Sequence, residues 1–503
     1  MDSTEVKLIA QAAGVCRQCR VGKQRCDKIL PTCSRCARKL LRCDYSANVS
    51  LWPSGPEHPY TTLKTQEPCI WYLSSQSRMS LIHAASEAAF GGTGADCLST
   101  ATKLVCELFL NSGSGVGEVV RRYYAEMHSW FPIIQEDVEE FLSSTIPIDL
   151  GHHGHLLLSM YLASHPLCEH VNHVAGSPLY LTTKQVFLIM QASSIRSIRL
   201  LQSGLLIAVY EFGHGLTEKA EHTASSCLAI YRTLVATQCD QEPSSDKDMS
   251  EFKACCQSIT LLDRLIIFYR IIDHFTTTRT LFQQGSLFWE SIYSSSILPS
   301  FPSHHDAKGL FLDIGIGTSN FSMLYRVSIL IGDIFEHMAQ ATARTEPATL
   351  YKDLEKEISL ITCNMIEKAG TASTKFCESI ALALSSLFLL QLFRKTRQLE
   401  SHSAREDDMA LETAQRMVLD MNRTASCMLQ SRDASTMSFV GICCVCSAGV
   451  LLVLASQKGH QISLADSDLA TIRFNLKALN RRWRIGATYL QCLDQDPDLD
   501  GLC

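Results

Sequence analysis

The sequence predicts a small, metal-organised N-terminal head followed by a large all-α body, and three observations carry that prediction. Six of the 22 cysteines fall between positions 16 and 43 in a repeated spacing. Basic charge is concentrated in the same segment, although the whole chain is net −6. Beyond it, long apolar-rich segments low in proline follow a helical period, and strand-like runs with hairpin turns are missing. A chain of 503 residues, 46% of them hydrophobic, can bury a sizeable core and has the length of roughly two to four domains. With 14 Pro and 26 Gly, collagen-like, Pro-rich and many-turned β architectures are disfavoured. Met1 to Gly14 holds no apolar run of secretory length, so the cysteines are expected as free thiols or metal ligands in a reducing compartment. A secreted disulfide scaffold is excluded.

The head comes first. Cys16, Cys19, Cys26, Cys33, Cys36 and Cys43 form C-x2-C-x6-C twice, a repeat of 17 residues. Given Cys16, chance would place the other five so about once in ten million. Two thiolates separated by x2 reach one metal ion without straining the turn, and an all-sulfur tetrahedral shell points to zinc or iron–sulfur. Two Zn²⁺ in tetrahedral sites need eight bonds, which six thiolates supply only if two of them bridge; the duplication favours one bridging Cys per half. A single four-thiolate zinc on Cys16, Cys19, Cys33 and Cys36 would leave the equal placement of Cys26 and Cys43 unexplained. Familiar iron–sulfur spacings differ from this one. The expected cofactor is therefore two Zn²⁺ per chain, and metal binding should supply most of the head's folding free energy.

Charge assigns the head a partner. Residues 1–45 carry ten Lys/Arg against four acids, giving +6, and the remaining 458 residues carry 35 against 47, giving −12. A basic head on an acidic body suggests a nucleic-acid contact confined to the head.

The stretch Cys16-Arg-Gln-Cys19-Arg20-Val-Gly22-Lys23-Gln-Arg25-Cys26-Asp27, then Pro31-Thr-Cys33-Ser-Arg-Cys36 and Cys43-Asp-Tyr45, resembles the fungal binuclear zinc-cluster transcription factors. The resemblance implies Cys16 and Cys33 as bridging ligands, a short helix after each C-x2-C pair, and a connecting loop shaped by Pro31. It also implies that the C-terminal end of the first helix enters the major groove of double-stranded DNA and reads a CGG-type triplet. By position Lys23 is the candidate base contact, with Arg20 and Arg25 on phosphate or in support, and Arg38, Lys39 and Arg42 as weaker phosphate candidates. A cationic donor suits the O6 and N7 acceptors of guanine, while flanking charges neutralise phosphates. Gly22 departs from the family, which usually has Lys or Arg there. A solvated face is the ordinary fate of any one such residue; the cluster is harder to read that way.

The expected division is an arm at 1–15, the binuclear zinc-cluster domain at 16–45, an irregular linker at 46–97, and an all-helical regulatory domain at 98–503. Pro53, Pro56, Pro59 and Pro68 mark the linker. The best heptad frame, Leu63, Gln66, Ile70, Leu73 and Ser77, fails at two core positions and contains Pro68, so no coiled coil is expected. DNA binding as a monomer, or homodimerisation through the helical domain, follows.

In the body, Ser194–Phe212, Glu221–Thr233, Ser258–Ile272, Phe321–Met338, Leu350–Lys368 and Lys375–Leu399 read as helices. Over Ala220–Leu234 the residues Ala220, Ala224, Cys227, Leu228, Ile230, Tyr231 and Leu234 keep the spacing of one helix face. Tyr123 to Ile133, Leu205 to His214 and Phe268 to His274 resemble, in order, the opening helix, central hairpin and later aromatic helix of the same family's middle homology region. His274 stands where that family usually has Arg. Size and pattern are most like regulators that sit within biosynthetic (secondary metabolite) gene clusters.

Ala434–Gln457 carries no charge and is long enough to span a membrane, about 20 residues. Its five Ser/Thr and the lack of a strongly basic flank favour a buried helix, with Cys443, Cys444 and Cys446 as small core residues and no stable membrane association. His152, His153 and His155 are read as a solvated loop rather than a metal site. The glycine clusters at 91–94 and 113–117 are read as loops, since neither follows a credible strand. The tail from Asp494 alternates acid and apolar residues; fraying or contact with the transcription machinery are its two readings. No HExxH, GxSxG, P-loop or DxDxDG motif is present, and no enzyme is expected. The sequence thus points to a nuclear transcription factor; the alternative is a helical sensor or scaffold whose basic zinc head makes protein contacts.

Overall fold

The computed structural model of the chain describes residues 15, 19, 23–28, 33–39, 71, 73–90, 94–111, 115–135, 138, 141, 153–166, 176–193, 197–238, 246–278, 319–341, 348–369, 376–397, 404–431, 437–457 and 462–494. It divides into two units, Met1–Gln66 and Glu67–Cys503. Among the described residues there are helices and no strands, so an N-terminal cluster domain followed by a mostly helical body is the observed architecture. Among the described residues of the first unit, Cys19 is helical and one short helix is complete, α1 (Ser34–Arg38).

The second unit opens with α2 (Ser75–Phe90), α3 (Gly94–Asn111), α4 (Val116–Glu126), α5 (Gly154–Ser164), α6 (Pro178–Ala192), α7 (Ile198–Gly213) and α8 (Thr217–Gln238). It continues through α9 (Asp246–Thr278), α10 (Asn320–Ala341), α11 (Ala348–Ala369), α12 (Cys377–Arg397) and α13 (Ala404–Ser431) to α14 (Phe439–Gln457), α15 (Asp466–Arg482) and α16 (Ile485–Asp494). Three helices are buried on nearly every face, α5 and α7 in the first half and α14 in the second. A helix apolar all round has no solvent face to offer and must be enclosed. Around α7 pack α5, α6, α8 and α9; around α14 pack α9, α12, α13, α15 and α16, so α9 joins the two centres.

Local chemistry fixes the ends of α7. Ser197 caps its start, its Oγ accepting the Leu200 N–H at 3.2 Å. At its end the Leu216 N–H returns to the Glu211 carbonyl (2.8 Å) and the Gly215 N–H to that of Phe212 (3.0 Å). Gly215 between them has φ 76°, the left-handed residue such a closure needs, and α8 follows at once. All seven residues expected on the buried face of Ala220–Leu234 are buried.

Three buried polar groups tie helices of the body together. Glu211 is wholly buried and accepts from Tyr180 Oη (2.7 Å), Lys184 Nζ (2.8 Å) and the Thr223 hydroxyl. Glu251 accepts from the Gln135 backbone (3.0 Å), Gln202 Nε2 (3.1 Å) and Arg199 Nη1 (3.3 Å), tying the stretch after α4 to α7 and α9. Arg482 reaches Glu126 Oε2 at 2.7 Å and the Ser164 carbonyl at 2.8 Å, joining α15 to α4 and α5. Gly213 lies so close to Trp483 that a Cβ would stand 2.2 Å from the indole.

Several expectations change. Ser75–Phe90, assigned to the irregular linker, is a helix, and α3 also starts before the expected edge of the body. The buried face of α2 consists of Leu81, Ala84, Ala85 and Ala88, a helical spacing carried mostly by alanine, which a search for large apolar residues passes over. Trp71, also placed in the linker, is buried in the body and stacks on Tyr210 with ring centroids 6.3 Å apart. His155, expected in a solvated loop, lies in α5 and is buried, because the helix begins at Gly154. Gly94 and Gly117 belong to α3 and α4, and Gly115 caps α4 rather than extending a loop. The charge-free run contains α14, which is long and apolar enough to cross a membrane but is 89% buried here as a core helix, with Cys443, Cys444 and Cys446 all buried. The coiled-coil frame, apart from Leu73 and Ser77, and the tail after Asp494 lie outside the described residues.

Candidate metal centre and nucleic-acid interface

Four of the six expected ligands are described, and they share one place. Cys19, Cys33 and Cys36 are fully buried and form the head's own small core, with Val15 and Cys26 packed against them. The sulfurs of Cys19, Cys26 and Cys33 all lie within 4.8 Å of one another. Cys19 Sγ and Cys33 Sγ are 3.7 Å apart, far beyond a disulfide bond. Tetrahedral zinc with Zn–S bonds of about 2.3 Å sets its sulfurs about 3.8 Å apart, so this spacing fits two thiolates on one ion. The donor set is all sulfur, as zinc prefers. Cys16 and Cys43 lie outside the described residues.

The local fold explains why Cys33 is placed so well. It is the N-cap of α1, and its Sγ accepts the Cys36 N–H at 3.4 Å. Burial pushes the Cys33 thiol up, but that backbone bond and contacts with the Cys36, Cys19 and Cys26 thiols outweigh it and leave the thiol below its ordinary value. Asp27 completes the helix start, both carboxylate oxygens accepting the Ser34 N–H at 3.1 and 3.2 Å. A carboxylate at a helix N-terminus is favourable, and here it ties the first half of the repeat to the second. Arg35, between Cys33 and Cys36, points Nη1 at Cys19 Sγ (3.8 Å) and offsets thiolate charge across the repeat. Sequence reasoning passed over Asp27 and Arg35 as site residues. Their signal was position, directly after Cys26 and inside the second C-x2-C.

The cations lie outside this core. Lys23 and Arg25 are exposed, as are Arg38 and Lys39 at the end of α1. Lys23 has φ 48°, and the following Gln24 N–H returns to the Cys19 carbonyl at 2.8 Å, the bonding that ends a helical turn. The left-handed conformation costs a non-Gly residue about 1–2 kcal/mol and fixes the direction in which its side chain leaves the backbone. Arg20 and Arg42 lie outside the described residues.

A sulfur core too small to fold by apolar burial, ringed by exposed cations, defines a metal-organised binding module. Residues 14–50 match the family model of the fungal Zn(2)-Cys(6) binuclear cluster domain, so the chain carries that domain at its N-terminus. Among characterised proteins, the chain is similar to "Transcription factor BOA15" of Botryotinia fuckeliana (strain B05.10), 33% identical over 114 residues. That stretch is 22% of this chain and 63% of the relative, so the chain spans less than two thirds of the length of the relative it matches. No solved structure matches the chain.

Proposed function

We propose that this protein is a nuclear, zinc-dependent, sequence-specific DNA-binding transcription regulator. The observation that carries the proposal is the arrangement of the head, where thiols converge inward while Lys23, Arg25, Arg38 and Lys39 are exposed. Cys16, Cys19, Cys26, Cys33, Cys36 and Cys43 hold two Zn²⁺, with Cys16 and Cys33 bridging. When bound, the zinc supplies folding free energy and no chemistry. Lys23 reads guanine in a CGG-like triplet, and Arg20, Arg25, Arg38, Lys39 and Arg42 hold phosphates. The net −12 of residues 46–503 confines the DNA contact to the head. The helical body supplies any dimer contact, the acidic tail meets the transcription machinery, and control of a biosynthetic gene cluster follows from the likeness of size and pattern alone.

Selection of sites from random duplex DNA by zinc-loaded full-length protein tests this reading. One enriched triplet means monomeric recognition, and two triplets at fixed spacing mean a dimer set by the body. No enriched sequence, with zinc bound and the body folded, would overturn DNA reading in favour of protein contacts by the head.

A further inference from the structure

The helical body carries a groove of about 430 Å³ between the first halves of α12 and α14 and the second half of α13. Met417, Met421, Met428 and Met437 line it, and among the described residues its charged ones are Glu378 and Asp420, with no Lys, Arg or His. Small residues give it depth. Ala381 and Ala425 stand on facing helices, and a Cβ on Gly441 would stand 3.2 Å from Glu378 Cγ. Methionine suits such a wall, because its flexible, polarisable side chain adapts to irregular apolar shapes.

The electrostatics select the sign of an occupant. Asp420 is already paired with Arg423 at 3.1 Å. Glu378 is half-buried and takes a hydrogen bond from the neutral amide of Asn320 (2.9 Å), and no cation among the described residues pairs with it. Two helix starts border the groove, but neither is left in need of an anion. Glu378 occupies the first turn of α12, and Ser438 Oγ accepts the Gly441 N–H at 3.5 Å at the start of α14.

Size argues for a small molecule. The volume falls in the range of ligand pockets, about 300–1,000 Å³. Among the described residues, Met417 is the one lining residue that is an exposed large apolar side chain. That is little for a stable protein interface, which buries about 800 Å² per partner. We infer that this groove is a binding site for a small molecule with an apolar body and a neutral or cationic donor end, received by Glu378. The site is independent of the zinc head and of whether the protein reads DNA.

Titration of full-length, zinc-loaded protein with the neutral dye Nile red tests it, with displacement by dodecylamine and dodecanoate below their micellar concentrations. The expected result is one dye site per chain, displaced by dodecylamine at about tenfold lower concentration than by dodecanoate. Thr424→Trp fills the groove from an exposed position on α13 and should weaken dye binding about tenfold without lowering the melting temperature. Met417→Trp serves the same purpose should that variant fold poorly. Glu378→Gln should keep dye affinity and abolish the preference for the amine. Unchanged dye binding in folded groove-filling variants would overturn the inference, as would equal displacement by amine and carboxylate. Dye binding that falls as the protein dimerises with rising concentration would show a second copy as the occupant and would overturn it too.

Discussion

Lys184 holds a buried anion in place, and removing it should be among the most costly single changes in the body. Glu211 has no solvent exposure, and Lys184 Nζ donates to it at 2.8 Å from a side chain that keeps 19% exposure. At that separation an effective dielectric of about 20 gives an attraction of about 6 kcal/mol, most of it offset by the cost of desolvating both groups. In Lys184→Met that cost stays on Glu211 with nothing to balance it, since the Tyr180 and Thr223 hydroxyls are neutral donors. The expected loss is about 3–5 kcal/mol. Glu211→Gln should cost less, about 1–3 kcal/mol, because Lys184 can turn toward solvent. The double variant Lys184→Met/Glu211→Gln should be more stable than Lys184→Met alone. Urea unfolding followed by helical circular dichroism measures all three, with zinc content as the control that the head is untouched. Equal midpoints for Lys184→Met and the double variant would refute the assignment of an uncompensated Glu211 charge.

In the head, Lys23→Ala should cost about 1–3 kcal/mol of DNA affinity and relax base preference, whereas Arg38→Ala should weaken all sequences alike and lower the salt slope by about one unit. Competition titrations at several salt concentrations separate the two. Cys33→Ser should lower bound zinc and unfold the head while leaving the body's circular dichroism nearly intact, since the head's described core is little more than its thiols. Acid should destabilise the body through His165 and His214. Burial first, and nearby Arg side chains second, push both down to about 3. Above about pH 6.5 these residues are neutral folded or unfolded, so they give no pH dependence there. Below it the unfolded chain takes up protons that the fold refuses, and stability falls by up to about 2.7 kcal/mol per pH unit for the pair until about pH 3. His165→Asn should halve that slope in unfolding measured at pH 6 and pH 5.

The sequence was most legible where a residue's role depends on near neighbours. The thiol spacing singles out Cys19, Cys26 and Cys33, whose sulfurs the fold brings together, because ligand geometry is short-range. The face of α8 was legible for the same reason, since one helix with one buried side leaves a periodic trace. What escaped were partners distant in sequence. Nothing near Lys184 announces Glu211, 27 residues on, and nothing near Arg482 announces Glu126. Helix α2 escaped because alanine carries most of its buried face, and Trp71 because nearby prolines made its surroundings read as connector. Arg35 escaped because a basic residue in a basic segment does not declare that it faces a thiolate.

The enclosure of α14 has a consequence for how the chain is made. A helix this apolar resembles the segments that the secretory machinery captures as they leave the ribosome. Its enclosing helices α9, α12 and α13 are synthesised before it, and only α15 and α16 come after. Three walls of its compartment can therefore already stand when it emerges, so that it meets packed protein before it meets a membrane.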